Sequence, residues 1–198
     1  MKIKQLVLIT LFMLSFSLLA IASNQVILKS DNDKFNGYSG NSTTHQIKPK
    51  DQSMKVFDIP ADALKGITEA RVRVNIGFVD YSQDRNGFTE DMEMVINGKI
   101  IKVPLNQFEH GVHRGQIPVF QWYDLGIPVI FLKPGENKVV FRKVESTPQD
   151  DYIYIAIDNS VSKGKSAYSM DHGETWNYEK LNHIGAKGEY MVRLVLIK

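Results

Sequence analysis

Between Asp80 and Asp91 the segment DYSQDRNGFTED gathers five oxygen-bearing side chains, Asp80, Asp84, Asn86, Glu90 and Asp91, around an Asn86-Gly87 turn. Carboxylate and amide oxygens on a short loop with a sharp glycine turn are what Ca²⁺ coordination requires, so these five are the candidate ligands of a structural calcium ion. The spacing is not that of an EF-hand loop: its third ligand position would fall on Ser82, and the glycine comes late. Asp150-Asp151 and Asp158-Asn159 are a second acidic source that would complete such a site. The plain alternative is a solvated polar loop between strands.

A different chemistry is suggested by FEHGVHRGQIPVFQWYDLG, Phe108 to Gly126, which shows little alternation and carries His110, His113, Arg114, Trp122 and Tyr123. Indole and phenol rings stack on the apolar faces of pyranoses, while imidazole and guanidinium groups bond the hydroxyls, so these five are the candidate ligand-binding residues. The alternative is that Trp122 and Tyr123 simply close one end of the fold. His110 and His113 stand three apart, but no His-Glu-x-x-His or other third ligand accompanies them, so zinc finds little support. Tyr152 and Tyr154 share one strand face; they form either an exposed aromatic strip or a face packed against a covering loop or the second sheet. No candidate catalytic residue emerges: the chain has no cysteine, no Gly-x-Ser-x-Gly and no glycine-rich phosphate loop. A glycosidase needs two carboxylates at a fixed separation, which spacing alone does not display.

The segment SMDHGETW places Ser169, Asp171, Gly173, Thr175 and Trp176 at Ser-x-Asp-x-Gly-x-Thr-Trp spacing between strand-like flanks, which suits the tip of a hairpin. It resembles the Asp-box of sialidases. The resemblance implies that Ser169 and Asp171 accept hydrogen bonds from turn amides, that Gly173 takes a conformation closed to other residues, and that Trp176 packs beneath the turn. In sialidases the box recurs around a six-bladed propeller, which needs roughly 250–300 residues and exceeds this chain. The arginine-bearing Arg-Ile-Pro segment of sialidases is also missing, its nearest counterpart being Gln116-Ile117-Pro118. The box therefore implies a hairpin and a glycan-rich setting without assigning sialidase chemistry.

The elements that must position these residues read as strands. ARVRVNIGFVD from Ala70 sets Val72, Val74, Ile76 and Phe78 against Arg71, Arg73 and Asn75, the period of a half-buried strand. DMEMVINGKIIKVPL carries Asn97-Gly98, which supplies the two positive-φ residues of a tight hairpin. IPVIFLKPGENKVVFRKV reads as two strands about a Pro134-Gly135 turn, DYIYIAID alternates, and EYMVRLVLIK closes the chain as a further strand. PADALKG, Pro60 to Gly66, is the main helical candidate, with one or two turns. Eight to ten short strands with turns between them predict an all-β fold, an antiparallel β-sandwich of the jelly-roll kind, with a closed barrel as the alternative.

At the N-terminus two lysines precede an apolar run from Leu6 to Leu19 and then Ala20-Ile21-Ala22, the pattern of a cleaved secretory signal over residues 1–22. A retained anchor is the competing reading of that run. Removing Lys2 and Lys4 turns 24 basic and 22 acidic residues into 22 of each. A neutral exported chain gives no reason to expect a nucleic-acid or anionic-membrane partner. Residues 23–198 are expected to form one domain, with Lys29 to Ser53 its loosest segment. The strand pattern, the box, LKPGENKVVF and the aromatic loop resemble galactose-binding-like jelly rolls and carbohydrate-binding modules. That resemblance implies a periplasmic or extracellular domain that binds a glycan or polysaccharide without cleaving it, with no required cofactor beyond a structural Ca²⁺. The alternatives are a small glycan-active lyase or hydrolase, in which His113, Arg114 and Tyr123 would move protons, and a surface protein-interaction module.

Overall fold

Val72, Val74, Ile76 and Phe78 are each at most 1% exposed, while Arg71 and Arg73 between them are only half-buried, so the alternation read from residue types is an alternation of environment. The computed structural model describes residues 24–80, 90–105, 108, 111–112, 118–145 and 151–198. These form an antiparallel β-sandwich.

One sheet is flat. It is built from β3 (Gln52–Ile59), β5 (Asp91–Ile96), β6 (Lys99–Pro104), β9 (Gly135–Lys143) and β11 (Ser166–Ser169), in the order β11-β3-β9-β5-β6. The other curls into a half-barrel and orders β1 (Gln25–Leu28), β13 (Val192–Ile197), β4 (Glu69–Asp80), β10 (Tyr152–Asp158) and β12 (Glu189–Tyr190) side by side. Onto it are added β2 (Thr44–Ile47) against β10, and β7 (Gly111–Val112) and β8 (Gln121–Ile127) against β4. Apart from the β5–β6 hairpin and the β7–β8 and β12–β13 steps, successive strands from β2 onward cross between the sheets, the connectivity of a jelly roll. The core between the sheets is filled from both, by Ile76, Phe78, Ile153 and Leu194 on one side and Phe57, Met94, Val139 and Phe141 on the other.

Local chemistry explains the turns. Asn97 (φ 50) and Gly98 (φ 82) both hold positive φ and reverse β5 into β6, with Ile96 opposite Lys99. Three expectations need correction. Pro60 to Gly66 is a run of hydrogen-bonded turns, Ala63 amide to Pro60 carbonyl (3.0 Å) and Lys65 amide to Asp62 carbonyl (3.2 Å), because seven residues cannot repay helix nucleation. The apolar run IPVIFL is not a strand: Pro128 follows the end of β8 at Ile127, and Val129–Phe131 make one 3-10 turn. Gln121–Ile127, read as part of an irregular connection, is instead strand β8, since Tyr123, Leu125 and Ile127 alternate toward the core.

Lys29 to Ser53 is fastened rather than loose. Its Phe35 and Tyr38 rings lie 4.8 and 6.4 Å from Phe120, and Tyr38 meets Tyr154 edge-on at 5.7 Å. It also holds β2, and the Asn182 amide donates to the Thr44 carbonyl at 2.9 Å. The Tyr152 and Tyr154 face is thus the seat of a covering loop.

Candidate functional site

The alternation of β8 separates the two aromatic residues expected to share a ligand. Tyr123 points inward, its ring 4.7 Å from Phe108 and 5.9 Å from Phe78. Trp122 points outward from the half-barrel, 37% exposed, with the Arg193 guanidinium 4.1 Å from its ring centroid. Arg193 is held there by Asp31 (2.6 Å) and by Asp33, so this cation–π pair ties the N-terminal segment to the sheet and occupies one indole face. His110, His113 and Arg114 lie outside the described residues.

Of the acidic loop, Asp84 and Asn86 also lie outside them. Asp80 ends β4, Asp91 opens β5, and Glu90 is 1% exposed between them. The Lys143 ammonium contacts the Glu90 carboxylate and donates to the Asp151 carbonyl at 2.7 Å, while the Asp151 amide donates to Glu90 Oε1 at 2.9 Å. Burial pushes the Glu90 carboxyl up to about 7, against the opposing pull of Lys143. The described end of this loop therefore already carries its own cation, and among the described residues no three His, Asp or Glu side chains are grouped to hold a metal.

The turn after β11 is built by side chains. The Ser169 hydroxyl accepts from the Gly173 amide (2.9 Å) and donates to Asp171 Oδ1 (2.7 Å). Asp171 in turn accepts from the Thr175 amide (2.9 Å) and hydroxyl (2.5 Å). The Thr175 hydroxyl, with its amide and Ser169, holds the Asp171 carboxyl down at about 2. Gly173 sits at φ +87, and a Cβ there would lie 2.8 Å from Gln52 Oε1. The chain returns antiparallel, Tyr168 and Asn177 exchanging amide–carbonyl bonds at 3.0 and 2.8 Å, and brings Trp176 onto Met54, Val56, Val140 and Ala167.

That places an indole on the outer face of the flat sheet, a surface no spacing in the sequence announces. Register aligns its outward side chains in rows: Gln52 opposite Arg142 opposite Glu93, then Met54 opposite Val140 opposite Val95. Two depressions lie over neighbouring rows along β9. One, of about 410 Å³, is lined by Gln52, Glu93, Arg142, Glu145 and His172; the other, of about 400 Å³, by Met54, Val95, Lys138, Val140 and Trp176. Arg142 pairs with Glu93 at 2.7 Å, and His172 Nδ1 lies 2.9 Å from Glu145. The result is a groove with an apolar floor, an indole on one side and paired donors and acceptors along its length, the makings of a surface for a flat, hydroxyl-rich ligand.

A second set of residues escaped sequence reasoning because it lies between the sheets. His45 Nδ1 is 2.6 Å from Ser53 Oγ and 3.2 Å from the Tyr190 hydroxyl, and its Nε2 is 3.8 Å from Asp51. The residue types are those of a hydrolytic triad, but Ser53 is 1% exposed and faces inward, so no substrate carbonyl reaches it. Burial lowers the His45 pKa, with Asp51 pulling the other way. Deeper still, the Lys55 ammonium is fully enclosed by Glu189 (2.8 Å), the Tyr190 carbonyl (2.9 Å) and the Ser166 hydroxyl (3.0 Å). Lys55 shares the inward parity of Phe57 and Ile59, and a lysine at an apolar position is the one signal that marked it.

No protein-family model matches this chain, and no curated protein does either.

Proposed function

We propose that this chain is an exported carbohydrate-binding β-sandwich that holds its ligand without cleaving it. The observation that carries the reading is the groove along β9, where Trp176 covers Met54 beside the half-buried Val140 and Val95 and polar pairs flank them. An indole edge and aliphatic floor suit the C–H faces of a sugar, while the Arg142–Glu93 pair offers both donors and acceptors to its hydroxyls. The Ser169 to Trp176 turn, with its likeness to the sialidase Asp-box, supplies the wall of the groove and no reacting group. Non-catalytic binding is favoured because, among the described residues, the array with hydrolytic residue types, Ser53-His45-Asp51, is shut between the sheets.

The test is electrophoresis of the purified protein through gels containing soluble polysaccharides, run beside an assay for new reducing or unsaturated ends. Retardation without product is expected, and Val140→Asp, which puts a charge in the groove floor, should abolish it while the fold is retained by circular dichroism. Release of product by the unmodified protein would overturn the non-catalytic reading. Retardation that survives Val140→Asp but is lost in Trp122→Ala would move the site to the half-barrel.

A further inference from the structure

The charges lining the groove balance. Apart from Lys143, which is buried and engaged with the Asp151 carbonyl and Glu90, Lys50, Lys133, Lys138 and Arg142 stand against Asp51, Glu93, Glu136 and Glu145. Most are engaged with one another: Arg142 with Glu93 at 2.7 Å, Lys138 with Glu136 at 3.5 Å, and Glu145 with the His172 ring at 2.9 Å. A groove with no net charge offers a polyanion or polycation no long-range attraction, and a charged ligand would have to break these pairs. Its contact chemistry, an indole and aliphatic floor with hydrogen-bonding pairs, needs no ionic group in the ligand.

The groove is also long. Its lining runs along β9 from Glu136 through Lys138, Val140 and Arg142 to Lys143, which at strand rise is roughly 23 Å. A single sugar would cover a small part of that. An extended peptide is a poorer fit, because β3 and β5 already take both backbone edges of β9, leaving no free ladder for strand addition.

We infer that the groove takes an internal stretch of a neutral, linear polysaccharide, several sugar units laid along β9 and stacked on Trp176 at one point; this rests on the carbohydrate-binding reading. Calorimetry with neutral oligosaccharides of increasing length, and with a polyuronate, a sulfated glycan and polyglutamate, tests it. Affinity should rise at least about tenfold from a monosaccharide to an oligomer that spans the groove, then level off, and should hardly change with salt. Glu93→Gln with Arg142→Gln, which keeps the groove neutral and removes the pair that bonds sugar hydroxyls, should weaken the long oligomers at least about tenfold.

A monosaccharide bound as tightly as the longest oligomer would overturn the internal-stretch inference and leave carbohydrate binding standing. Salt-sensitive preference for the polyuronate or the sulfated glycan would overturn neutrality and again leave that reading standing. Binding of polyglutamate alone, or of nothing, would remove both.

Discussion

Asp171 accepts three hydrogen bonds in the turn after β11, from the Ser169 hydroxyl and from the Thr175 amide and hydroxyl. Asp171→Ala should lower Tm by a few degrees, because the Thr175 amide and hydroxyl lose their acceptor. The sign of its pH dependence follows from the carboxyl being held at about 2 against an ordinary 3.8. The bonds to the carboxylate contribute fully above the ordinary value and are lost as the pH falls through about 2. The Tm gap between the wild type and Asp171→Ala should therefore be constant near neutrality and close on acidification through that window, which scanning calorimetry in a pH series would read. A gap that stayed open at low pH would mean that the turn is held by something other than the ionised carboxylate.

At the scale of elements, β3 shows how the sandwich mixes apolar and ionic ties. Phe57 and Ile59 enter the main core, yet Lys55 on the same face is buried against Glu189, which also accepts from Ser30, Ser166 and the amides of Lys163 and Lys165. Lys55→Met should destabilise by about 3–5 kcal/mol, since it strands a buried carboxylate that keeps only neutral donors. Urea unfolding measures it; a loss under about 1 kcal/mol would show that the pair is relieved by water or by Glu189 taking a proton.

Strand parity was the part of this architecture open to reading from sequence: the first half of β4 and the Asn97-Gly98 hairpin follow it, while in β10 the isoleucines face the core and covering segments bury the other face as well. It was missed in β8 because Trp122 and Gly126 mask the Tyr123-Leu125-Ile127 alternation, and that miss placed Trp122 and Tyr123 in one site when they face opposite ways. IPVIFL failed for the converse reason: apolar composition without alternation does not specify a strand, and Pro128 ends one.

For the whole molecule, the order β11-β3-β9-β5 is what creates the groove. It brings Gln52, Glu93, Arg142 and Trp176 together from four separate stretches of chain, and no local pattern encodes which strands become neighbours. The turn at Ser169 to Trp176 was legible because its hydrogen bonds join residues two to four apart, whereas its place beside β9 depends on long-range pairing of β11 with β3. The chain's two tryptophans fall on opposite sheets, Trp176 over the flat one and Trp122 on the half-barrel. Each can therefore report on its own face.

Fluorescence titration of Trp122→Phe, in which Trp176 is the remaining indole, tests the central claim most directly. Adding a long neutral oligosaccharide should shift the Trp176 emission saturably, while Trp176→Phe, checked for an unchanged fold, should show no shift from Trp122. A saturable change seen only from Trp122, or from neither indole, would contradict carbohydrate binding in the groove along β9.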